Sequence, residues 1–272
     1  MQKRFIVLVD FSEYSANLIK YAYDWSKRVN AGLLFVHQID ASETAFGGQE
    51  RTHQIEGQLK DEAILKLKDL TGFIPQSANV SYSVSTKHLT LTLEELLAEP
   101  FDNLILLGLK GTGLLKQIFI GSMALQVIDS VKNIVVAMPK EVNSFSHKKI
   151  YVAATEKYPL NLLELNNFLE FVSTPDISIT FFHLAKPNEM SKEMVNYLGE
   201  LTEFFAGRYK VDFEVFEGND PFHDLVRNMI SGKSHKLLIV QRGSRVLSDQ
   251  LFRKFLINQL VYEGRTPLVV LP

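Results

Sequence analysis

No cysteine occurs among the 272 residues, which removes disulfides, thiolate catalysis and cysteine metal centres from consideration. Charge of one sign is also lacking. With a formal net charge of −2 and an isoelectric point near 6.4, the chain supplies no basic face of the kind phosphate-backbone binding needs. No nucleic-acid partner is expected. Long hydrophobic runs are missing as well: none approaches the ~18 apolar residues of a membrane span. The N-terminal run Phe5–Val9 stops at Asp10, too short for the apolar core of a secretory signal. Together these absences read as a cytoplasmic protein with no membrane partner.

What is present is a globular composition, 46% hydrophobic and 22% charged, well away from the disordered range. The length suits two domains, each able to bury its own core.

Phe5–Val9 reads as a strand buried on both faces, followed by a helix whose apolar positions Leu18, Ala22, Trp25 and Val29 keep the helical period. Ser12 or Ser15 is the expected N-cap of that helix, and Asn30-Ala-Gly32 its end. Leu33–Ile39 is a second strand. Asp40–Gln54 is polar, contains Gly47-Gly48, and is expected to be a mobile loop. Ile55, Leu59, Ala63, Leu67 and Leu70 mark an amphipathic helix. Asn79–Ser85 (strand), Leu91–Ala98 (helix), Leu104–Leu107 (strand), a last helix and the strand Ile134–Met138 complete the first half. This alternation predicts an α/β fold with a parallel sheet covered on both faces. In such sheets ligands lie beyond the carboxyl ends of the strands, where Asp10, Gln38 and Gly108 would converge.

Gly108 opens the segment GLKGTGLLKQIFIGS, with further glycines at 111 and 121 and a hydroxyl at Ser122. Glycine lets a ligand approach the backbone closely. A helix starting next to Ser122 would aim unpaired N–H groups and its positive dipole end at the same place. The pattern describes a phosphate cradle.

After the polar stretch Val142–Lys149 the order of elements begins again. Ile150–Ala154 repeats the first strand, Ile177–His183 repeats the second, and Leu237–Val240 repeats Leu104–Leu107. Both halves close alike, in IVVAMP139 and PLVVLP272. The chain therefore reads as a tandem duplication with domains 1–141 and 147–272. Aligning the ends sets Gly108 against Gln241, Gly111 against Ser244, Gly121 against Lys254, Ser122 against Phe255, and Asp10 against Thr155. The second half is expected to keep the fold without the cradle, giving one nucleotide per chain.

The spacing Gly108-x2-Gly111-x9-Gly121-Ser122, with Asp10 in VDFSEYS and the following GSMALQVI, resembles the ATP-binding members of the universal stress protein family, here in tandem form. The resemblance implies two open five-stranded parallel-sheet sandwiches of the adenine nucleotide alpha-hydrolase-like kind. It further implies an internal pseudo-dimer paired through Ile134–Met138 and Pro267–Leu271. Carried over, Asp10 would lie by the adenosine and the backbone of Gln38 at the adenine edge. Gly108 and Gly111 would contact ribose and phosphates, and Gly121 and Ser122 would hold the phosphates. Lys110 is placed to pair with phosphate. Two positions depart from the family pattern: Gln38 stands where Val is common, and Leu109-Lys110 where a polar residue and His are common.

The remaining candidates have plainer readings. His37 and His183 occupy matching strand ends, which the repeat explains without a metal. Ser12 and Ser15 lack a spaced triad partner. Lys3-Arg4 and Lys148-Lys149 read as solvated flanks. The function expected is that of a regulatory stress-response protein binding ATP, with or without magnesium, with at most slow hydrolysis and a protein partner or second copy as reader. The alternative is a nucleotide-free tandem scaffold for a protein or small apolar ligand. An adenylyl-transferring enzyme ranks last.

Overall fold

The computed structural model describes residues 1–40, 49–109, 122–140, 142–146, 148–155, 158–172, 176–185, 187, 191–217, 236–242 and 266–272. Among them the first half contributes β1 (Gln2–Leu8), α1 (Ser15–Val29), β2 (Gly32–Gln38), α2 (Gln49–Leu70) and β3 (Val80–Ser85), then α3 (Leu89–Leu97), β4 (Phe101–Gly108), α4 (Ser122–Ser130) and β5 (Val135–Met138). The second half contributes β6 (Lys149–Ala153), α5 (Leu162–Val172), β7 (Ser178–Ala185), α6 (Lys192–Ala206), β8 (Lys210–Glu217), β9 (Lys236–Gln241) and β10 (Leu268–Leu271).

All ten strands belong to one sheet, in the order β3-β2-β1-β4-β5-β10-β9-β6-β7-β8. Each half is a five-stranded parallel set, and the halves join where β10 runs antiparallel to β5, with Leu268 opposite Ala137, Val269 opposite Val136 and Val270 opposite Val135. The α/β class and the pairing of last strands follow the sequence expectation. The two five-stranded units are continuous across the seam.

Alternation along each strand distributes side chains to two cores, because successive residues point to opposite faces. Phe5, Val7, Phe35, Leu104 and Leu106 meet Leu18, Ala22 and Trp25 of α1 on one face, continuous with Leu165 and Phe168 of α5 and Leu198 of α6. Ile6, Leu8, Val36, Ile105 and Leu107 meet Leu89 and Leu93 of α3 and Val127 and Ile128 of α4 on the other. Thus α1 lies on one face and α4 on the opposite one.

Several boundaries differ from expectation for physical reasons. Residues 49–54, expected in a mobile loop, are the first turn and more of α2. Gln, Glu and Arg are good helix formers and no Gly or Pro interrupts them, so the amphipathic helix propagates backward. The rest of that loop, residues 41–48, lies outside the described residues. Strands β1 and β4 are longer than their apolar runs because they pair from Gln2 with Phe101 through Leu8 with Leu107. Strand β8, KVDFEVFE, carries acids at 212, 214 and 217 and is exposed along much of its length, as an edge strand is.

Arg4 is no solvated flank. It is 7% exposed, its Nε donates to Asn103 Oδ1 at 2.8 Å, and its terminal nitrogens donate to Glu99 Oε2 and the Leu96 carbonyl. The guanidinium thereby ties the end of α3 to the start of β1. Lys3 reaches the other half, donating to the Glu170 carbonyl at 2.7 Å.

The single tryptophan sits where the halves pack. Trp25 stacks on Phe145 with ring centroids 4.5 Å apart, meets Phe168 edge-on, and donates its indole N–H to the Phe171 carbonyl at 2.7 Å. The ring is fully buried and its polar edge is satisfied. From the opposite side Arg242 donates to the Ile128 and Val131 carbonyls, capping the C-terminus of α4 where cations are favoured.

Trp25→Ala is expected to cost about 3–5 kcal/mol in urea unfolding followed by circular dichroism. Leu163→Ala, at a position 69% exposed, should stay within about 0.5 kcal/mol of the parent. A Trp25 loss near the Leu163 value would show that the halves do not rely on this contact.

Candidate functional site

β1 and β4 are neighbours whose following helices, α1 and α4, cover opposite faces, so the crevice at their carboxyl ends is the switch point of this half-sheet. Asp10 follows β1 and Gly108 ends β4, and both line one small recess of ≈ 10 Å³ together with Ser12, Tyr14, Ser15 and Leu18. That is room for about one water. Gln38 ends β2, the strand beside β1 on the far side from β4, and stands opposite Ser85. It shares the edge but not the recess.

The turn from β1 into α1 is built by Asp10. Its Oδ1 accepts from the Ser12 backbone N–H at 3.0 Å and from Ser15 Oγ at 3.1 Å. Neither serine is the expected N-cap: the cap position is Tyr14, with helical dihedrals and no side-chain cap bond, and Ser15 is the first helical residue. The Ser15 hydroxyl is turned to the carboxylate, a charged acceptor that makes a strong bond, while Ser12 contributes its main-chain N–H.

Between them Phe11 has φ 57°, a left-handed conformation that is rare for a bulky residue and costs about 1–3 kcal/mol. The Phe11 ring lies 4.1 Å, centroid to centroid, from the His37 ring, with Lys66 Nζ 5.7 Å from the Phe11 ring centroid. His37 is held by the Val9 carbonyl at 2.7 Å, and His183 by the Ala154 carbonyl at 3.0 Å. A carbonyl only accepts, so each Nδ1 carries the proton. The two histidines thus do the same structural work in the two halves. No group of three or more His, Asp or Glu suited to a metal exists among the described residues.

Among the described residues nothing requires glycine at position 108. Its φ lies outside the left-handed region, and a Cβ built on it would meet nothing nearer than Leu18 Cδ2 at 3.9 Å, ordinary van der Waals contact. A turn residue would need positive φ, and a packing glycine would show a clash. What remains is the space in front of the backbone, which is the space a ligand would use.

The corresponding place in the second half is filled. Gln241 pairs with Leu271 as Gly108 pairs with Met138, and the next amides, Arg242 and Leu109, bond the Leu271 and Met138 carbonyls. Gln241 Oε1 accepts from the Asn161 N–H at 2.5 Å and its Nε2 donates to the Pro159 carbonyl at 3.3 Å. Thr155, buried, stands where the first half has Asp10. The segment before α5 is tied down by the protein's own amide.

Of the remaining residues singled out from the sequence, Lys110, Gly111 and Gly121 lie outside the described residues, as do Ser244, Lys254 and Phe255. Ser122 is the first residue of α4, where the helix was expected to begin. Sequence reasoning missed Lys140, Tyr14 and Phe11. Lys140 follows β5, next to β4, and its Nζ lies 5.3 Å over the Tyr14 ring. The rule that brought Asp10 and Gly108 together, following each strand to its carboxyl end, also reaches Lys140. A hydrogen bond to Glu13 raises the Tyr14 phenol above its usual pKa. The assembly offers a carboxylate, main-chain approach at Gly108 and a cation at the same edge. That set suits a polyhydroxylated, anionic ligand.

The sequence profile of the universal stress protein family matches residues 1–139. No curated protein matches the chain. In fold it is similar to a universal stress protein from Archaeoglobus fulgidus DSM 4304, at a TM-score of 0.68 and 15% identity, covering 100% of this chain and 99% of that one. It is similar also to a functionally unknown protein from Pseudomonas aeruginosa PAO1 (TM-score 0.57, 12% identity, 99% and 92% covered). A third similar structure is the cytoplasmic domain of a prokaryotic cation chloride cotransporter (TM-score 0.52, 11% identity, 99% and 95% covered). At these identities the likeness is one of fold.

Gly108→Ala is expected to leave stability unchanged or raise it by about 0.5–1 kcal/mol, since a strand glycine carries an entropic penalty. Equilibrium unfolding in urea checks this. A loss above about 2 kcal/mol would return Gly108 to a packing role.

Proposed function

Since the chain belongs to the universal stress protein family, we propose that it is a cytoplasmic stress-response protein that binds ATP at the carboxyl ends of β1 and β4. It takes one nucleotide per chain, in the first half. The observation that carries this reading is the contrast between the two equivalent strand ends: among the described residues nothing crowds the backbone at Gly108, whereas the Gln241 side chain fills the corresponding place in the second half.

In this reading Asp10 meets the ribose, the Gln38 backbone the adenine edge, and Gly108 the sugar and phosphates. The phosphates then lie toward Lys110, Gly111, Gly121 and the N-terminus of α4 at Ser122, where backbone N–H groups and the helix dipole favour anions. Lys140 adds a positive charge at that edge. Magnesium, when present, would travel with the phosphates. Binding is the chemistry, with hydrolysis at most slow: the Asp10 carboxylate, the acid of the recess, is engaged by the Ser12 N–H and the Ser15 hydroxyl in building the turn. Nucleotide occupancy would alter a surface read by a protein partner or a second copy.

The small size of the recess, ≈ 10 Å³, supports a second reading, a nucleotide-free tandem scaffold that binds a protein or a small apolar ligand. Native mass spectrometry of the protein as isolated separates the two. Co-purified adenine nucleotide supports the first, and its absence together with silent ATP titrations supports the second.

Calorimetric titration should give a micromolar dissociation constant for ATP, about −8 kcal/mol. Gly108→Val and Gly121→Val should each weaken it at least about tenfold, or 1.4 kcal/mol, with the fold intact by circular dichroism. No heat with the parent protein would sink the proposal, and equal binding by both variants would place the nucleotide elsewhere.

A further inference from the structure

A larger cleft lies at the other end of β1. It has a volume of ≈ 200 Å³, below the size of drug-like sites and suited to a small metabolite. One wall comes from the first half, from the starts of β1 and β4 and the segment leading into β5. The facing wall is α5 of the second half. The cleft therefore exists only because the halves are docked.

The walls differ in charge. The first-half wall presents Lys3 and Lys132, with Asn133 beside them. Along α5, Glu164, Asn167 and Phe171 recur at helical spacing on one side, with Glu170 adjacent. Asp102, at the rim, lies 3.7 Å from the chain's amino terminus. Among the described residues no ion pair joins Lys3 or Lys132 to Glu164 or Glu170. Lys3 crosses the cleft, donating to the Glu170 carbonyl and lying 5.4 Å over the Phe171 ring, while among the described residues no hydrogen bond or ion pair engages the side chains of Lys132, Asn133, Glu164 and Asn167. Apart from the Lys3 contact, the cationic and anionic side chains of the two walls thus face each other across the gap without pairing among the described residues. Two amides are available to orient an occupant.

We propose that this cleft binds a small zwitterion of the free α-amino acid class. Its carboxylate is received by Lys132 and the Asn133 amide, its ammonium by Glu164 and Glu170, and its side chain lies toward Phe171. A simple anion would leave the carboxylates of α5 unanswered, and a simple cation would face Lys132. An occupant carrying both charges satisfies both walls and, because the walls belong to different halves, holds the halves together. The site is separate from the nucleotide recess: the seven residues of β1 put about 20 Å between them.

The protein contains its own reporter. Its one tryptophan, Trp25, donates to the carbonyl of Phe171, a residue of the cleft wall. The full chain is titrated with each common L-amino acid up to millimolar concentration, following tryptophan emission and, in parallel, calorimetric heat. Butylamine and butyrate serve as single-charge controls. At least one amino acid should bind and shift the emission, with neither control doing so. Lys132→Met and Glu164→Gln, both at surface positions outside the nucleotide recess, should each weaken that binding at least tenfold while leaving urea unfolding and ATP titration unchanged. The proposal is overturned if no amino acid gives heat, if butylamine or butyrate binds as tightly, or if either variant keeps the parental affinity.

Discussion

The pairing of β10 against β5 is the constraint on which the molecule turns. Within each half every strand runs the same way, so the one antiparallel junction reverses the direction of the second set. The carboxyl ends of β1 and β4 consequently lie on one edge of the sheet and those of β6 and β9 on the other. Had β10 joined in parallel, both sets of strand ends would share an edge. The seam also closes two edges that would otherwise present unpaired N–H and C=O groups, leaving β3 and β8 as the outer strands. Valines at 135, 136, 269 and 270 make it, all fully or almost fully buried, so hydrogen bonding and burial act at the same positions.

Around the seam the two halves are joined by unlike devices. On one face Trp25, Phe145, Phe168 and Phe171 form a continuous aromatic cluster with satisfied polar edges. Elsewhere Arg242 caps a helix of the other half, and Lys3 reaches the last turn of α5. Both cations use helix carbonyls that would otherwise lack partners.

Much of this was legible in the sequence, and unevenly so. Apolar runs gave the buried strands, because a strand covered on both faces has to be apolar throughout. Their ends were less visible: Gln2 and Phe101 belong to strands through pairing with each other, a property of two distant segments. Strand β8 was missed because an edge strand keeps charged residues on its exposed positions. Arg4 looked like a solvated cation beside Lys3, and nothing local reveals that Glu99, Leu96 and Asn103 surround it. At the recess, Asp10 and Gly108 were readable from the rule that strand ends converge. The left-handed Phe11 was not, since its conformation is imposed by Asp10 drawing Ser12 and Ser15 inward.

Gln241 shows what a single chain permits. In an assembly of two identical subunits every substitution is made twice, so a side chain that closes one strand end closes its mate as well. Here the two sides of the seam are encoded separately. An amide that knots the segment before α5 strengthens one side of the molecule without touching Gly108 on the other. The seam enforces a shared shape while leaving each strand end free to be changed alone, and this chain has divided rigidity and access between its two ends accordingly.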